Sequence, residues 1–116
     1  MSEPMARLRC EQARQIARHT LAHQAEGLVG DALIVVSELV SNALRHAGGV
    51  TGFSVRIDGG TVVIEVADAS PQLPRSPGTP AHVPGGFGWA LVNSLSQRTE
   101  VRPGPHGKTV TAYLAL

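Results

Sequence analysis

The feature that most constrains the fold is a helix-periodic segment, Asp31 to Ala47, that carries polar residues one turn apart. Its apolar positions recur at helical spacing: Ala32, Val36, Leu39, Val40, Ala43 and Ala47. Glu38, Asn42 and His46 step by four, so a helix places them in one polar row beside that apolar face. A row in this position lies at the edge of a core, where a cleft can form.

Two further helices are predicted around this segment. Apolar spacing indicates a first helix from about Met5 to Gln24, and Gly27 and Gly30 then indicate a break. The second helix is expected to begin near Asp31, whose charge suits a helix N-terminus, and to end at Gly48-Gly49, which suits a left-handed cap. The third helix is expected at about 88–97.

The strands are predicted from apolar alternation. Two such segments flank a turn at Asp58-Gly59-Gly60 and indicate a β-hairpin: Phe53/Val55/Ile57 and Val62/Ile64/Val66. A short strand near Thr99 to Arg102 and a final strand with Val110, Ala112, Leu114 and Leu116 on one face complete the sheet. The predicted fold class is α+β, a two-layer sandwich of about three helices on a mixed, mostly antiparallel sheet.

Prolines and glycines interrupt the pattern over residues 69–86. Such a composition is incompatible with a helix or a central strand. Long loops inside small domains are usually functional lids or disordered stretches. We interpret residues 69–86 as a lid loop.

Length and charge limit the classes of function. A chain of 116 residues fits one domain, here taken as 1–116, and its net charge of +1 implies neither nucleic-acid nor membrane capture. The longest apolar run, Ala32 to Val36, is far shorter than a membrane span. The lone Cys10 has no internal disulfide partner, which agrees with a cytoplasmic location.

The polar row on the second helix favours Mg²⁺ chemistry. Mg²⁺ keeps most of its waters, so one side-chain oxygen is a sufficient protein ligand. Asn42 fits this role better than that of a surface residue, because asparagine is a poor helix former. Glu38, one turn earlier, could accept a proton from a hydroxyl or water, although a helix glutamate is often simply solvated. For His46, structural and functional interpretations are evenly balanced.

Three later signatures are individually weak. Asp68 ends an apolar strand and could accept a hydrogen bond from an exocyclic amine such as that of adenine, or simply terminate the strand. Gly86-Phe87-Gly88 would let backbone approach phosphate at a helix N-terminus. Thr109 could reach the same aspartate through water, whereas Lys108 is as readily an exposed charge.

In this order, the motifs resemble the nucleotide site of the histidine-kinase-like (Bergerat) ATPase superfamily. Glu38-Leu-Val-Ser-Asn42-Ala-Leu-Arg-His46 resembles its N box and Asp68-Ala-Ser70-Pro its first glycine box. Gly86-Phe-Gly88-Trp89 resembles the second glycine box and Gly107-Lys-Thr109-Val the terminal strand motif. The likeness covers nearly the whole chain and is strongest to the small anti-sigma-factor serine kinases and related ATP-binding regulators of actinobacteria.

The resemblance implies a set of roles. ATP is bound with Mg²⁺ on Asn42, Asp68 contacts adenine, Gly86 to Trp89 lie at the phosphates, and Glu38 acts as the catalytic base. His46, Ser70 and Thr109 would border the same nucleotide. The implied partners are a sigma factor, an anti-sigma-factor antagonist whose serine is phosphorylated, and a second copy of the chain.

The sequence departs from the family pattern in three places, and these affect the implied roles and partners. Ser70 stands where many members have glycine, which alters the loop without excluding adenine. Arg75 is the only lid arginine, and Val83-Pro84-Gly85 precedes the glycine turn, which favours a catalytically silent ATP-binding module as an alternative. The expected N-terminal strand is missing or very short, and the edge it would cover is a candidate partner or dimer surface. A scaffold that no longer binds nucleotide remains a third interpretation, and a histidine-kinase catalytic fragment a weaker one.

Overall fold

Helices and strands follow one another in an α-α-β-β-α-β-β order. The computed structural model describes residues 8–46, 48–70 and 86–116, without the side chains of His46 and Phe87. The elements are α1 (Cys10–Thr20), α2 (Glu26–His46), β1 (Val50–Asp58), β2 (Thr61–Asp68), α3 (Gly86–Leu95), β3 (Arg98–Gly104) and β4 (Gly107–Ala115). The predicted lid therefore falls mainly outside the described residues, as does the predicted first-helix segment before residue 8.

The sheet has the order β1-β2-β4-β3, and all three pairings are antiparallel. The predicted hairpin is present, with Val55 opposite Ile64 and a turn that includes Gly59 at φ +61°. The α+β fold class is confirmed. Within the described residues the sheet is fully antiparallel, so the parallel component implied by a mixed sheet is not found there.

One face of the sheet carries the core, because alternate side chains of β2 and β4 point to the helices. Val62, Ile64 and Val66 of β2 are buried, as are Val110, Ala112 and Leu114 of β4. The helices contribute Val36 and Val40 of α2, both fully buried, and α2 packs against α1, α3 and the sheet. The central position of α2 follows from these contacts on several sides.

The second helix begins earlier than predicted, at Glu26 rather than near Asp31, and Gly27 and Gly30 lie inside it. A glycine inside a helix costs about 1 kcal/mol relative to alanine. Leu28 and Val29 pack against the core cluster, and this burial offsets the cost. The predicted break is therefore wrong, because tertiary packing outweighs local propensity.

The predicted C-terminal cap of α2 is correct. Gly48 has φ +74° and Gly49 φ +113°, and the Gly49 N–H donates to the Ala43 carbonyl at 2.9 Å. By length and composition Glu26–Arg45 would also suffice to cross a membrane, with 33% of its apolar window buried within the domain. Within the domain that helix packs against α1, α3 and the sheet.

The opposite face of the sheet is covered by charged side chains. Arg56 pairs with Glu65 at 2.9 Å, and Arg102 lies between Glu65 and Glu100 at 3.9 and 3.6 Å. Arg98 stacks over the Tyr113 ring at 3.9 Å from its centroid. These contacts connect all four strands on a solvent-facing surface, so the described helices lie on the other side of the sheet.

Candidate functional site

The centre of the candidate site is an ion pair between the end of β2 and the start of β4. The antiparallel register sets Asp68 opposite Lys108. The Lys108 ammonium lies 3.0 Å from Asp68 Oδ2 and 3.1 Å from Oδ1, and the two side chains are only 7% and 5% exposed. Lys108 is therefore a buried partner of Asp68, not an exposed charge.

Ser70 extends this arrangement by two backbone hydrogen bonds. Its N–H donates to Asp68 Oδ1 at 2.9 Å, and its carbonyl accepts from Lys108 Nζ at 3.2 Å. Both backbone polar groups of Ser70 are therefore bonded to the ion pair at the point where the chain leaves β2. Asp68, Ser70 and Lys108 form one polar cluster, which we call the Asp68–Lys108 cluster.

A glycine at the first position of β4 makes this cluster possible. Gly107 has φ +152°, and a Cβ there would overlap the Asp68 carbonyl oxygen and lie 3.0 Å from the Ala69 Cα. Only a residue without a side chain permits so close an approach of the two backbones. The glycine of the predicted Gly-Lys-Thr motif therefore positions the lysine that follows it.

Thr109 is not brought to this cluster. It is paired with Ala67, one residue along each strand from the ion pair, so its side chain points to the other face of the sheet. It borders a shallow depression of about 220 Å³ whose lining also includes Ala67, Arg102 and both residues of the ion pair, Asp68 and Lys108. That volume is below the usual range for ligand pockets.

The second part of the site is the contact between α2 and α3. A Cβ on Gly88 would meet the Glu38 carboxylate, with Glu38 Cδ at 3.3 Å. The carboxylate therefore lies against the first turn of α3, which begins at Gly86, two residues before the predicted start. Trp89, the next residue, is half-buried and packs against the core.

Asn42 lies one helical turn after Glu38, and both are half-buried. Neither side chain makes a hydrogen bond or an ion pair within the part of the chain that the structure describes. Half-buried polar groups without partners in the protein are suited to contact a ligand or water. His46 ends the same helix, but its side chain lies outside the description.

The side chains of the candidate site fit a phosphorylated ligand better than a metal ion bound by protein ligands alone. No group of three or more His, Cys, Asp or Glu side chains that could hold a metal occurs among the described residues. A single amide oxygen at Asn42 is compatible with Mg²⁺, which retains water and is shared with phosphates. The Asp68–Lys108 cluster, the half-buried pair Glu38 and Asn42 on α2, and the N-terminal turn of α3 together suit a phosphorylated ligand.

Comparison with family models decides the assignment. Residues 5–114 match the model described as "Histidine kinase-like ATPase domain". The chain belongs to this family. A comparison with curated proteins finds no match.

Solved structures support the same fold for this ATPase-family domain. One is the histidine kinase domain of the blue-light-activated histidine kinase of Erythrobacter litoralis EL346, with TM-score 0.60, 17% identity and coverage of 100% of this chain and 65% of that one. A second structure of that kinase gives TM-score 0.56 and 20% identity over 97% of this chain and 42% of the other. The histidine kinase domain of the E. coli osmosensor EnvZ gives TM-score 0.52 and 13% identity, covering 100% and 91%. The chain thus spans about two thirds or less of the first two neighbours.

Proposed function

We propose that this histidine kinase-like ATPase domain binds ATP with Mg²⁺ between α2, α3 and the Asp68 end of the sheet. The observation that carries the proposal is the pair Glu38 and Asn42, half-buried, without partners among the described residues, and adjacent to the first turn of α3. Asn42 would supply an oxygen to Mg²⁺, and Asp68 would accept a hydrogen bond from the base. Gly86 to Trp89 would lie at the phosphates, where helix N–H groups favour anions.

We propose further that the domain is a regulatory serine/threonine kinase of the anti-sigma-factor type. Glu38 would accept the proton of a serine hydroxyl as that oxygen bonds to the γ-phosphorus, while the bond to the β–γ bridging oxygen breaks and ADP leaves. Mg²⁺ held by Asn42 would supply positive charge next to the phosphates. The contact of Glu38 with Gly88 supports the assignment, because it sets the carboxylate beside the turn proposed to bind the phosphates.

ATP binding is tested by thermal shift with the wild type and the variants Asn42→Ala and Asp68→Asn. At a ligand concentration near one hundred times the Kd, binding adds about 2.7 kcal/mol, a shift on the order of 10 °C for a domain of this size. We expect a Mg²⁺-dependent shift in the wild type that is lost in Asn42→Ala and reduced in Asp68→Asn. The control Arg45→Ala, exposed on the same helix, should keep the shift. No wild-type shift at millimolar ATP would refute the proposal.

Phosphoryl transfer is tested with Glu38→Gln. Loss of a general base lowers transfer by about 10²- to 10⁴-fold, whereas ATP affinity should change little, because the amide keeps the size of the side chain. The readout is radiolabel transfer from ATP to a serine of a candidate antagonist. Glu26→Gln, exposed at the start of the same helix, is the matched control.

The alternative is a catalytically silent ATP-binding module. It is favoured by the sequence before Gly86, where Val83-Pro84-Gly85 offers no cation to stabilise transferring phosphate. ATP binding without transfer by the wild type to any candidate antagonist would select this alternative.

We propose that the domain acts in the cytoplasm and forms a homodimer. Its proposed protein partners are a sigma factor and an anti-sigma-factor antagonist. The proposal rests on the sequence resemblance to the anti-sigma-factor kinases. Capture experiments with purified candidate sigma factors test it, and failure with every candidate at high concentration would reject the partner assignment.

A further inference from the structure

Glu38 is an acidic side chain without a counter-charge at the proposed phosphate site. Its carboxylate lies against Gly88, and a Cβ on that glycine would overlap it, with Glu38 Cδ at 3.3 Å. Glu38 is half-buried and makes no hydrogen bond or ion pair within the described residues. The first turn of α3, proposed to hold the phosphates, therefore faces an uncompensated carboxylate.

No cation among the described residues balances this carboxylate. The sequence of α3, GFGWALVNSL, contains no charged residue. Lys108 belongs to the buried ion pair at the end of β2, and Arg14 donates to Ser37 Oγ at 3.2 Å. Arg45 lies two helical turns after Glu38 on α2, about 10 Å along the helix axis. Within this part of the chain, no side chain supplies the positive charge that phosphates would need beside Glu38.

The negative charge of Glu38 affects which form of a nucleotide can bind. The phosphates of a free nucleotide carry several negative charges, so a nearby carboxylate repels them. Water screens this repulsion only in part in a half-buried cleft. Mg²⁺ cancels most of the negative charge, so the carboxylate repels the Mg²⁺ complex far less. The amide of Asn42, one turn further along α2, is uncharged and cannot discriminate in this way.

We propose that Glu38 is a specificity-determining residue that restricts this site to Mg²⁺-complexed nucleotides and rejects metal-free ones. The inference rests on the proposed nucleotide site and names the form of nucleotide that it takes. Asn42 supplies an oxygen to the cation, and Glu38 makes the cation a condition of binding. This role depends on the charge of the side chain, and it is separate from the proposed transfer of a proton to Glu38.

The test is isothermal titration calorimetry of the whole chain with ADP, once with Mg²⁺ and once with EDTA. ADP has no γ-phosphate, so binding is measured without phosphoryl transfer. We expect Mg²⁺ to tighten ADP binding to the wild type by about a hundredfold. Glu38→Gln keeps the size of the side chain without its charge. In EDTA it should bind ADP about ten- to a hundredfold more tightly than the wild type, and added salt should reduce this gain.

Two further variants separate the local charge from other effects. Glu38→Asp keeps the charge and should retain the wild-type ratio of the two Kd values within about threefold. Glu26→Gln removes a charge at the exposed start of the same helix and should change ADP binding in EDTA by less than about twofold.

The inference is overturned if Glu38→Gln gains no affinity for ADP in EDTA, or if Glu26→Gln gains as much. In both cases the wild type still binds ADP with Mg²⁺, so the proposed nucleotide site stands. If the wild type does not bind ADP even with Mg²⁺, the proposed function fails together with this inference.

Discussion

Gly107→Ala is expected to lower the free energy of unfolding by about 2 to 6 kcal/mol and to abolish nucleotide binding. Two costs add: a backbone at φ +152° that an L-residue rarely adopts, and a methyl group placed onto the Asp68 carbonyl oxygen. Relief requires β4 to move away from the end of β2, which separates Lys108 from Asp68. Urea denaturation measures the stability change, and calorimetry with ADP measures the loss of binding.

The matched control is Gly104→Ala, at the other end of the same β3–β4 connection. A Cβ there would meet only the Gly107 carbonyl oxygen, at an ordinary contact distance of 3.8 Å. We expect a change below about 1 kcal/mol, as for most substitutions that create no clash. Equal losses at the two positions would show that the connection as a whole is sensitive, and would contradict the role given to the close approach at Gly107.

Local sequence patterns predicted the elements well but not all of their limits. The positive φ of Gly48 and the hairpin of β1 and β2 were both expected from residue type and alternation. The start of α2 was not, because Gly27 and Gly30 carry a local signal for a break. The burial of Leu28 and Val29 overrides that signal, and burial is a property of the folded chain rather than of the segment.

The Asp68–Lys108 pair can be predicted only in part from the sequence. In β4, Lys108 shares the parity of Val110, Ala112 and Leu114, so strand alternation alone assigns it to the core face. The same rule assigns Thr109 to the opposite face. The partner, however, depends on the register between β2 and β4, strands that are 40 residues apart at this pair. No local signal specifies that register.

The contact between Glu38 and Gly88 has a similar origin. Sequence motifs predicted both residues at one nucleotide site, and the roles assigned to them remain predictions. That the carboxylate occupies the space above a glycine follows only from how α2 and α3 pack. A motif specifies the chemistry of a group, whereas its distance from another motif is set by tertiary packing.

Lys108→Met is expected to lower the free energy of unfolding by about 3 to 5 kcal/mol, because it leaves the Asp68 carboxylate buried without its counter-charge. Asp68→Asn/Lys108→Met should recover most of that loss, since the amide oxygen can still accept from the Ser70 N–H and no buried charge remains. Urea denaturation of the two single variants and the double variant gives the coupling energy of the pair.

The matched control is the exposed pair Arg56–Glu65, whose side chains are 51% and 28% exposed at 2.9 Å separation. Arg56→Met should cost less than about 1 kcal/mol, because water screens the charges. If Lys108→Met costs no more than Arg56→Met, the burial argument is wrong. If the double variant is as stable as the wild type, the ion pair contributes little net stability.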